Sequence, residues 1–141
     1  MARRSAGFAL VELMIAIAII SILVSIAIPS YVGYLAKAKT TGGKSELGAL
    51  RINYENQLND GDGSPSLEGI GASTLSSAHC TFALTNNQDG STILECTLLN
   101  PPSPVSGGVV SFLRSSTGAW TCQVNAAIGT TYAPNGCTVG G

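Results

Sequence analysis

Residues 8–29 read FALVELMIAIAIISILVSIAIP, an apolar run in which Glu12 is the only charged residue. A helix of about 20 apolar residues is long enough to cross the hydrocarbon core of a bilayer. A carboxylate at the middle of such a helix costs on the order of 2.5–3.5 kcal/mol, and less near its end. We therefore expect Glu12 to have a function and a partner.

A short basic segment precedes the apolar run. Residues 1–7 read MARRSAG, and Gly7 is followed directly by Phe8. If the chain is cut between Gly7 and Phe8, Phe8 gains a free amine, and Glu12 lies four residues further on, on nearly the same helix face. The ammonium and the carboxylate could then neutralise each other within one chain or between adjacent chains, and a helix N-terminus also favours an acid.

The segment Gly7-Phe8-Ala-Leu-Val-Glu12-Leu-Met resembles the class III signal of type IV pilins. In that family a prepilin peptidase cuts after the glycine and N-methylates the new first residue, and the glutamate is used in filament assembly. The resemblance therefore implies cleavage between Gly7 and Phe8, N-methylphenylalanine at Phe8, and charge pairing by Glu12. The very short leader is similar to that of type IVa prepilins, whereas Ser21 departs from the family, in which glycine is common there.

Two other interpretations of the N-terminus are a conventional signal peptide and a plain membrane anchor. A signal peptide also has a basic start, an apolar core and small residues before its cut, and residues 16–18 or 25–27 could serve as that site. The apolar run is longer than a usual signal core, however, and Glu12 would only destabilise either alternative. The pilin interpretation is favoured because it gives Glu12 a role.

Length and charge limit the classes of function. The 141 residues predict one compact domain. Loss of residues 1–7 would remove Arg3 and Arg4, leaving five basic and eight acidic residues and a formal net charge of −3. No strong basic field is present, so nucleic acid is not implied as a bulk electrostatic partner.

The orientation in a membrane follows from the cysteines rather than from the basic residues. Basic residues flank both sides of the apolar run, so the positive-inside rule does not decide. All four cysteines lie far downstream, and an even number in a small Gly- and Ser-rich region indicates disulfides in an oxidising compartment. The C-terminal region is therefore expected outside the cytoplasm; the cysteines are Cys80, Cys96, Cys122 and Cys137.

A second, amphipathic helical stretch follows the apolar run. Pro29 removes one backbone hydrogen bond and predicts a kink rather than the end of the helix. We expect a bend or short break at Gly42-Gly43, a modest surface pair between Arg51 and Glu55, and a helix end at residues 59–61. One apolar stripe is formed by Leu47, Leu50, Tyr54 and Leu58.

The rest of the chain predicts strands. A Gly- and Ser-rich loop covers residues 60–78, and strand patterns follow at residues 79–85, 92–99, 109–115 and 120–125. The fold class is therefore α+β, with a long N-terminal helix packed on a four-stranded antiparallel sheet and a loop-rich tail. The expected organisation is a prepilin leader at 1–7, a transmembrane or filament-core helix at 8–28, an amphipathic half at 29–59, and a globular head at 60–141.

Four cysteines allow three disulfide connectivities. A Cys80–Cys96 bond would join neighbouring strands across the first hairpin, and a Cys122–Cys137 bond would attach the tail to the last strand. Each would close a loop of about 15 residues, worth roughly 3 kcal/mol in the chain-entropy model. Pilins commonly close a C-terminal loop in this way, so the resemblance implies the Cys122–Cys137 bond.

Enzyme chemistry finds little support in the sequence. His79 and Cys80 are adjacent on an expected strand and would point to opposite faces, which argues against a Cys-His dyad. The chain has one histidine and no Cys-x-x-Cys pair, which argues against zinc. The sequence therefore predicts no enzyme, no metal site and no cofactor.

The function implied by the resemblance is that of a structural subunit, and specifically a major pilin. Its partners would be copies of itself in a helical filament, the prepilin peptidase and N-methyltransferase, the pilus assembly machinery of the inner membrane, and that membrane before assembly. The precursor would be a single-pass inner-membrane protein with a periplasmic head, later an extracellular pilus used for adhesion, twitching motility or DNA uptake, with a host surface or DNA as further partners. The alternatives are a minor pilin with an adhesin or DNA-binding role and a type II secretion pseudopilin.

Overall fold

A computed structural model describes residues 3–72 and 74–140, with side chains from residue 7 onward. Met1 and Ala2 of the expected leader, and Ser73 and Gly141 of the expected head, lie outside the described residues. The chain divides into two compact units, Met1–Tyr34 and Leu35–Gly141. We refer to the second unit as the head.

One long helix is followed by a sheet. Helix α1 spans Arg3–Asn59 and contains Pro29. A single turn of 3-10 helix lies at Ser103–Val105, and a short helix, α2, at Gly129–Tyr132. The strands are β1 (Cys80–Asn86), β2 (Thr92–Leu98), β3 (Val109–Arg114), β4 (Trp120–Val124) and β5 (Cys137–Val139).

The sheet has five strands rather than the four expected from the sequence. The strand order is β1-β2-β3-β4-β5, and the first four strands are antiparallel as predicted. The additional strand β5 pairs in parallel with β4, with Cys137 opposite Cys122. Three residues are too few to show an alternating pattern, so β5 is defined by its pairing with β4 rather than by its own sequence.

Helix α1 ends where the sequence predicted. Gly61 has a φ of +99°, which a glycine adopts without strain. Its N–H donates to the carbonyl of Leu58 at 3.1 Å, and the N–H of Asp62 donates to the carbonyl of Gln57 at 3.0 Å. This pair of bonds is the Schellman motif, which satisfies carbonyl groups that the end of a helix leaves without partners.

The expected bend or break at Gly42-Gly43 is wrong, because α1 is continuous through both glycines. Their role is close approach. A Cβ atom added to Gly43 would lie 2.9 Å from Cys96 Sγ, and one added to Gly42 would lie 2.7 Å from Cδ2 of His79. The helix tolerates the poor propensity of two glycines because any side chain at Gly43 would collide with buried sulfur.

The predicted apolar stripe forms the helix side of the head's core. Leu47, Leu50 and Tyr54 are buried, and Leu58 packs against the core at its edge. The sheet contributes alternate residues of its strands; on β2 these are Thr92, Leu94, Cys96 and Leu98. Alternation along the strands and a three- or four-residue spacing along the helix thus meet in one core.

We expect Gly43→Ala to destabilise the head, although alanine is the better helix former. Overpacking of a filled core costs about 1–3 kcal/mol, and this exceeds the roughly 0.5–1 kcal/mol that alanine gains over glycine in a helix. Gly48→Ala is the matched control, because a Cβ there meets nothing within 4 Å. Urea unfolding of the detergent-solubilised chain should show opposite signs for the two variants; an equal gain in both would refute the close-approach argument.

Candidate assembly surface

The N-terminal unit presents a continuous apolar surface. From Phe8 to Ile28, fourteen large apolar side chains are exposed, with Phe8 75% and Ile26 69% accessible. Helix α1 is long and apolar enough to cross a membrane, and its apolar window has no buried residue. A surface of this extent marks a lipid-contacting or protein-contacting region rather than ordinary exposure.

The two serines of this stretch do not interrupt its apolar character. Ser21 Oγ donates to the carbonyl of Ile17 at 2.7 Å, and Ser25 Oγ donates to the carbonyl of Ile22 at 2.7 Å. Each hydroxyl is therefore satisfied by its own helix. Ser21 consequently needs no hydrogen-bond acceptor outside its own helix.

The residues expected to function at the N-terminus all lie on α1. Gly7 and Phe8 are exposed, and Glu12 lies one helical turn after Phe8 within the exposed apolar surface. The ion pairs of the described residues are His79–Glu46 and Arg114–Glu55, and neither contains Glu12. Within the described part of a single chain, therefore, no ion pair neutralises the Glu12 carboxylate.

Both disulfides expected from the sequence are present in the head. Cys80 and Cys96 join β1 to β2 with their Cα atoms 5.0 Å apart, and both residues are fully buried. Cys122 and Cys137 join β4 to β5 with a Cα separation of 4.5 Å. The second bond closes the C-terminal loop and aligns its end as an additional strand.

The C-terminal loop is also attached to α1. Thr40 Oγ1 donates to the carbonyl of Tyr132 at 2.7 Å, and Lys44 Nζ donates to the carbonyl of Asn135. Ile128 is buried in the core. The loop is thus fixed by one covalent bond, by two side chains of the helix and by one apolar anchor.

Glu55 forms its ion pair with Arg114 of the sheet and not with Arg51, the partner predicted from the sequence, although the charge of Arg51 also lowers the pKa of Glu55. Its Oε1 accepts hydrogen bonds from Arg114 Nε at 2.6 Å and from Trp120 Nε1 at 2.7 Å. The hydrogen bond from Arg114 is the main reason that the pKa of Glu55 is lowered, and with the Trp120 bond it outweighs the opposing effect of burial. Arg51 instead lies over the ring of Phe112, with Cζ 5.0 Å from the ring centroid.

Glu46 holds the segment before β1 against the helix. Its carboxylate accepts a hydrogen bond from Ser77 Oγ and lies 2.7 Å from Nδ1 of His79. Burial by itself raises the pKa of Glu46, but the bonds from Ser77 and His79 and the charges of His79 and Lys39 outweigh it, so that the net pKa is lowered. His79 therefore contacts a carboxylate of α1.

Sequence reasoning missed the bonds of Glu55 to Arg114 and Trp120. The partners are 59 and 65 residues away along the chain, so no local pattern signals them. Across residues 3–72 and 74–140, no group of three or more potential ligands from histidine, cysteine, aspartate and glutamate is placed to hold a metal ion.

Comparisons with known proteins match two separate parts of the chain, the N-terminal apolar segment and the head. Residues 36–138 match the family described as pilin, a bacterial filament protein, and residues 2–28 match the prokaryotic N-terminal methylation motif. A fimbrial protein of Pseudomonas aeruginosa is 36% identical, over 93% of this chain and 95% of its own length. Fimbrial protein Q of Moraxella bovis is 36% identical over 93% of this chain and 96% of its own, and the type IV major alpha-pilin of Moraxella bovis is 32% identical over 93% and 95%.

We expect Glu55→Gln to destabilise the head at neutral pH but not in strong acid. The lowered pKa means that the Glu55 carboxylate stabilises the fold above its ordinary value of 4.5, and this contribution disappears as the pH falls through the folded-state pKa. The difference between Glu55→Gln and the parent chain, measured by urea unfolding from pH 7 to pH 2, should therefore shrink toward acid. Glu68→Gln, at an exposed loop position, is the control and should change stability little at any pH; a pH-independent effect of Glu55→Gln would contradict the ionic interpretation.

Proposed function

This chain belongs to the type IV pilin family and is a structural subunit of a pilus, and we propose that it is the major subunit, assembled by pairing the Phe8 amine of one copy with Glu12 of the next. The similarity to a type IV major alpha-pilin supports the assignment as major subunit, and the observation that carries the pairing is the position of Glu12. It is an acid within an exposed apolar helix surface, without an ion-pair partner among the described residues.

The first step is processing of the N-terminus. The methylation motif covers residues 2–28, and Gly7 and Phe8 are exposed on the helix. Cleavage between Gly7 and Phe8 removes the leader and creates the amine of Phe8, which is then N-methylated. A methylated amine keeps its positive charge and so can still pair with a carboxylate.

The second step is burial of the apolar helix among its copies. Exposing one large apolar side chain to water costs about 1.5–3 kcal/mol, so packing among copies is the main force that keeps the fourteen between Phe8 and Ile28 out of water once the helix leaves the membrane. This force is not directional, because apolar helices can slide along one another with little change in buried area. Something else must define the axial register.

Glu12 supplies that register. A buried charge without a partner is strongly destabilising, by about 3–5 kcal/mol when a buried pair is broken. Copies that place Glu12 against the Phe8 amine of a neighbour avoid this cost, whereas slipped copies do not. The contact joins different surfaces of the two copies and does not close, so it generates a helical polymer.

The head carries the features suited to the outside of the cell. Its two disulfides are typical of oxidising compartments. We place the precursor in the inner membrane, anchored by residues 8–28 with the head in the periplasm, and the assembled subunit in the surface pilus. Adhesion, twitching motility and DNA uptake would be properties of the complete fibre.

Mass spectrometry of material sheared from the cell surface tests the processing step. We expect abundant chain that begins at N-methylated Phe8. Processed chain found only in the membrane would favour a minor pilin or a pseudopilin over the major subunit. An intact Met1, or a cut beyond Glu12, would refute prepilin processing.

Substitution of Glu12 tests the pairing. We expect Glu12→Ala to enter the membrane normally, since the change removes a charge from an apolar helix, but to form no filaments, because the Phe8 amine loses its partner. Electron microscopy of sheared material, with membrane fractions probed by immunoblot, measures both outcomes. Ser25→Ala in the same helix is the control and should assemble; normal filaments from Glu12→Ala would exclude the pairing role.

A further inference from the structure

Two groups of charged residues, one basic and one acidic, lie at opposite ends of the part of α1 that belongs to the head. Lys37, Lys39 and Lys44 lie in the first turns of α1 within the head, and Asp60 and Asp62 directly follow its last residue. A helix rises about 1.5 Å per residue, so Lys37 and Asp60 are roughly 35 Å apart along the axis.

Two more acids lie at the same end as Asp60 and Asp62. Tyr54 donates to Asn86 Oδ1 at 2.9 Å, which places the β1–β2 turn and its Asp89 beside the last turns of α1. Gln57 donates to the carbonyl of Gly69, which places Glu68 there as well. We call Asp60, Asp62, Glu68 and Asp89, all of which are exposed, the acidic end.

The acidic end is not neutralised by the described part of its own chain. The nearby Arg114 is paired with Glu55. Helix α1 has no basic residue in its last turn. A helix C-terminus carries partial negative charge and is stabilised by cations, so acids that follow it directly are unfavourable for the isolated head. Acids placed at a helix C-terminus against this preference are expected at functional positions, where a partner can supply the compensating positive charge.

We call Lys37, Lys39 and Lys44 the basic end; within the head, the charge of Lys39 acts on Glu46 and lowers the pKa of that carboxyl group. Lys37 is exposed, and the hydrogen bonds of the other two go to neutral carbonyl oxygens, those of Ala78 and Asn135. Glu46, the acid nearest to this end, is engaged by Ser77 and His79. A cavity of about 310 Å³ also opens here; its lining includes Leu35, Lys39, His79, Asn100 and Pro102.

We propose that the acidic end of one head docks on the basic end of another copy, so that heads stack in line along the filament. The occupant is a second copy because one chain presents both opposite charges in similar number, three cations against four acids. The contact is heterologous and does not close, which favours a continuing polymer over a dimer. It predicts that touching heads are offset by roughly 35 Å along α1. This inference rests on the proposed filament function but involves different residues from Phe8 and Glu12.

A charge-matched comparison tests the contact. The double variant Asp60→Asn with Asp62→Asn raises the net charge of the subunit by two. Glu95→Lys raises it by the same amount, but Glu95 lies in the middle of β2 and not at the acidic end. Asparagine also preserves a side-chain oxygen for the Asp62 hydrogen bond from the N–H of Ser64. We expect the asparagine variant to lower the fraction of subunits recovered in sheared filaments by about two- to fivefold, the range for exposed ion pairs, and Glu95→Lys to match the parent. Equal recovery of the two variants would overturn the proposal.

Co-expression provides a second test with its own folding control. Asp60→Lys, Asp62→Lys and Glu68→Lys together leave Asp89 as the remaining acid of the acidic end, so that this end has a net charge of +2 and repels the basic end of the next copy. Lys37→Glu with Lys39→Glu gives the basic end a net charge of −1, which repels the acidic end of the next copy. Each variant alone should give few filaments, whereas the two expressed in one cell should assemble together, because every junction then joins opposite charges. Mixed filaments that contain both variants support the contact, and failure to recover assembly opposes it.

The two proposals fail in distinguishable ways. If the parent chain forms no filaments, or is not cut before Phe8, the proposed function is wrong. If the parent chain assembles and the Asp60 and Asp62 variants are processed at Phe8 and assemble as well as Glu95→Lys, only the stacking contact is wrong.

Discussion

The head depends on the close contact between the backbone of α1 and the Cys80–Cys96 disulfide. Gly43 allows it, because a Cβ at that position would lie 2.9 Å from Cys96 Sγ. The contact brings Leu47, Leu50 and Tyr54 onto the inward-facing residues of the sheet. A less closely packed helix would leave voids, and each unfilled volume in a core reduces stability. At Gly43 the gain from close packing outweighs the unfavourable helix propensity of glycine.

Seven of the eight acids of this protein fall into three groups that differ in their surroundings, and Glu95 lies apart from them in the middle of β2. Glu46 and Glu55 are held by hydrogen bonds within the head, which lower the pKa of each carboxylate. Glu12 lies in an apolar helix surface without an ion-pair partner in the described part of its chain. The exposed acids at the end of α1 also lack internal cations. The first group contributes to stability, whereas we assign the other two to contacts between copies.

This division separates the driving force of assembly from its geometry. Burial of the apolar residues between Phe8 and Ile28 is large and non-directional, and so can support many arrangements. Charged contacts are weaker, and at exposed positions worth about 0–1 kcal/mol each, but they depend on distance and sign. The apolar helix therefore makes polymerisation favourable, and each of the two charged contacts fixes the axial offset between the pair of copies that it joins.

The sequence by itself determined those features that depend on neighbouring residues. The apolar run, the stripe from Leu47 to Leu58, the helix end at Gly61 and four strands could all be predicted, because periodicity and turn residues are local. Tertiary structure decided the rest. Strand β5 is defined by its pairing with β4. Gly42-Gly43 is a site of close contact between α1 and the head's core rather than a break in the helix. Glu55 bonds to Arg114, 59 residues away in the sequence, rather than to Arg51, four residues away. Local patterns constrain what a segment can form, but which distant groups meet depends on how the helix packs on the sheet, and that is a property of the whole core.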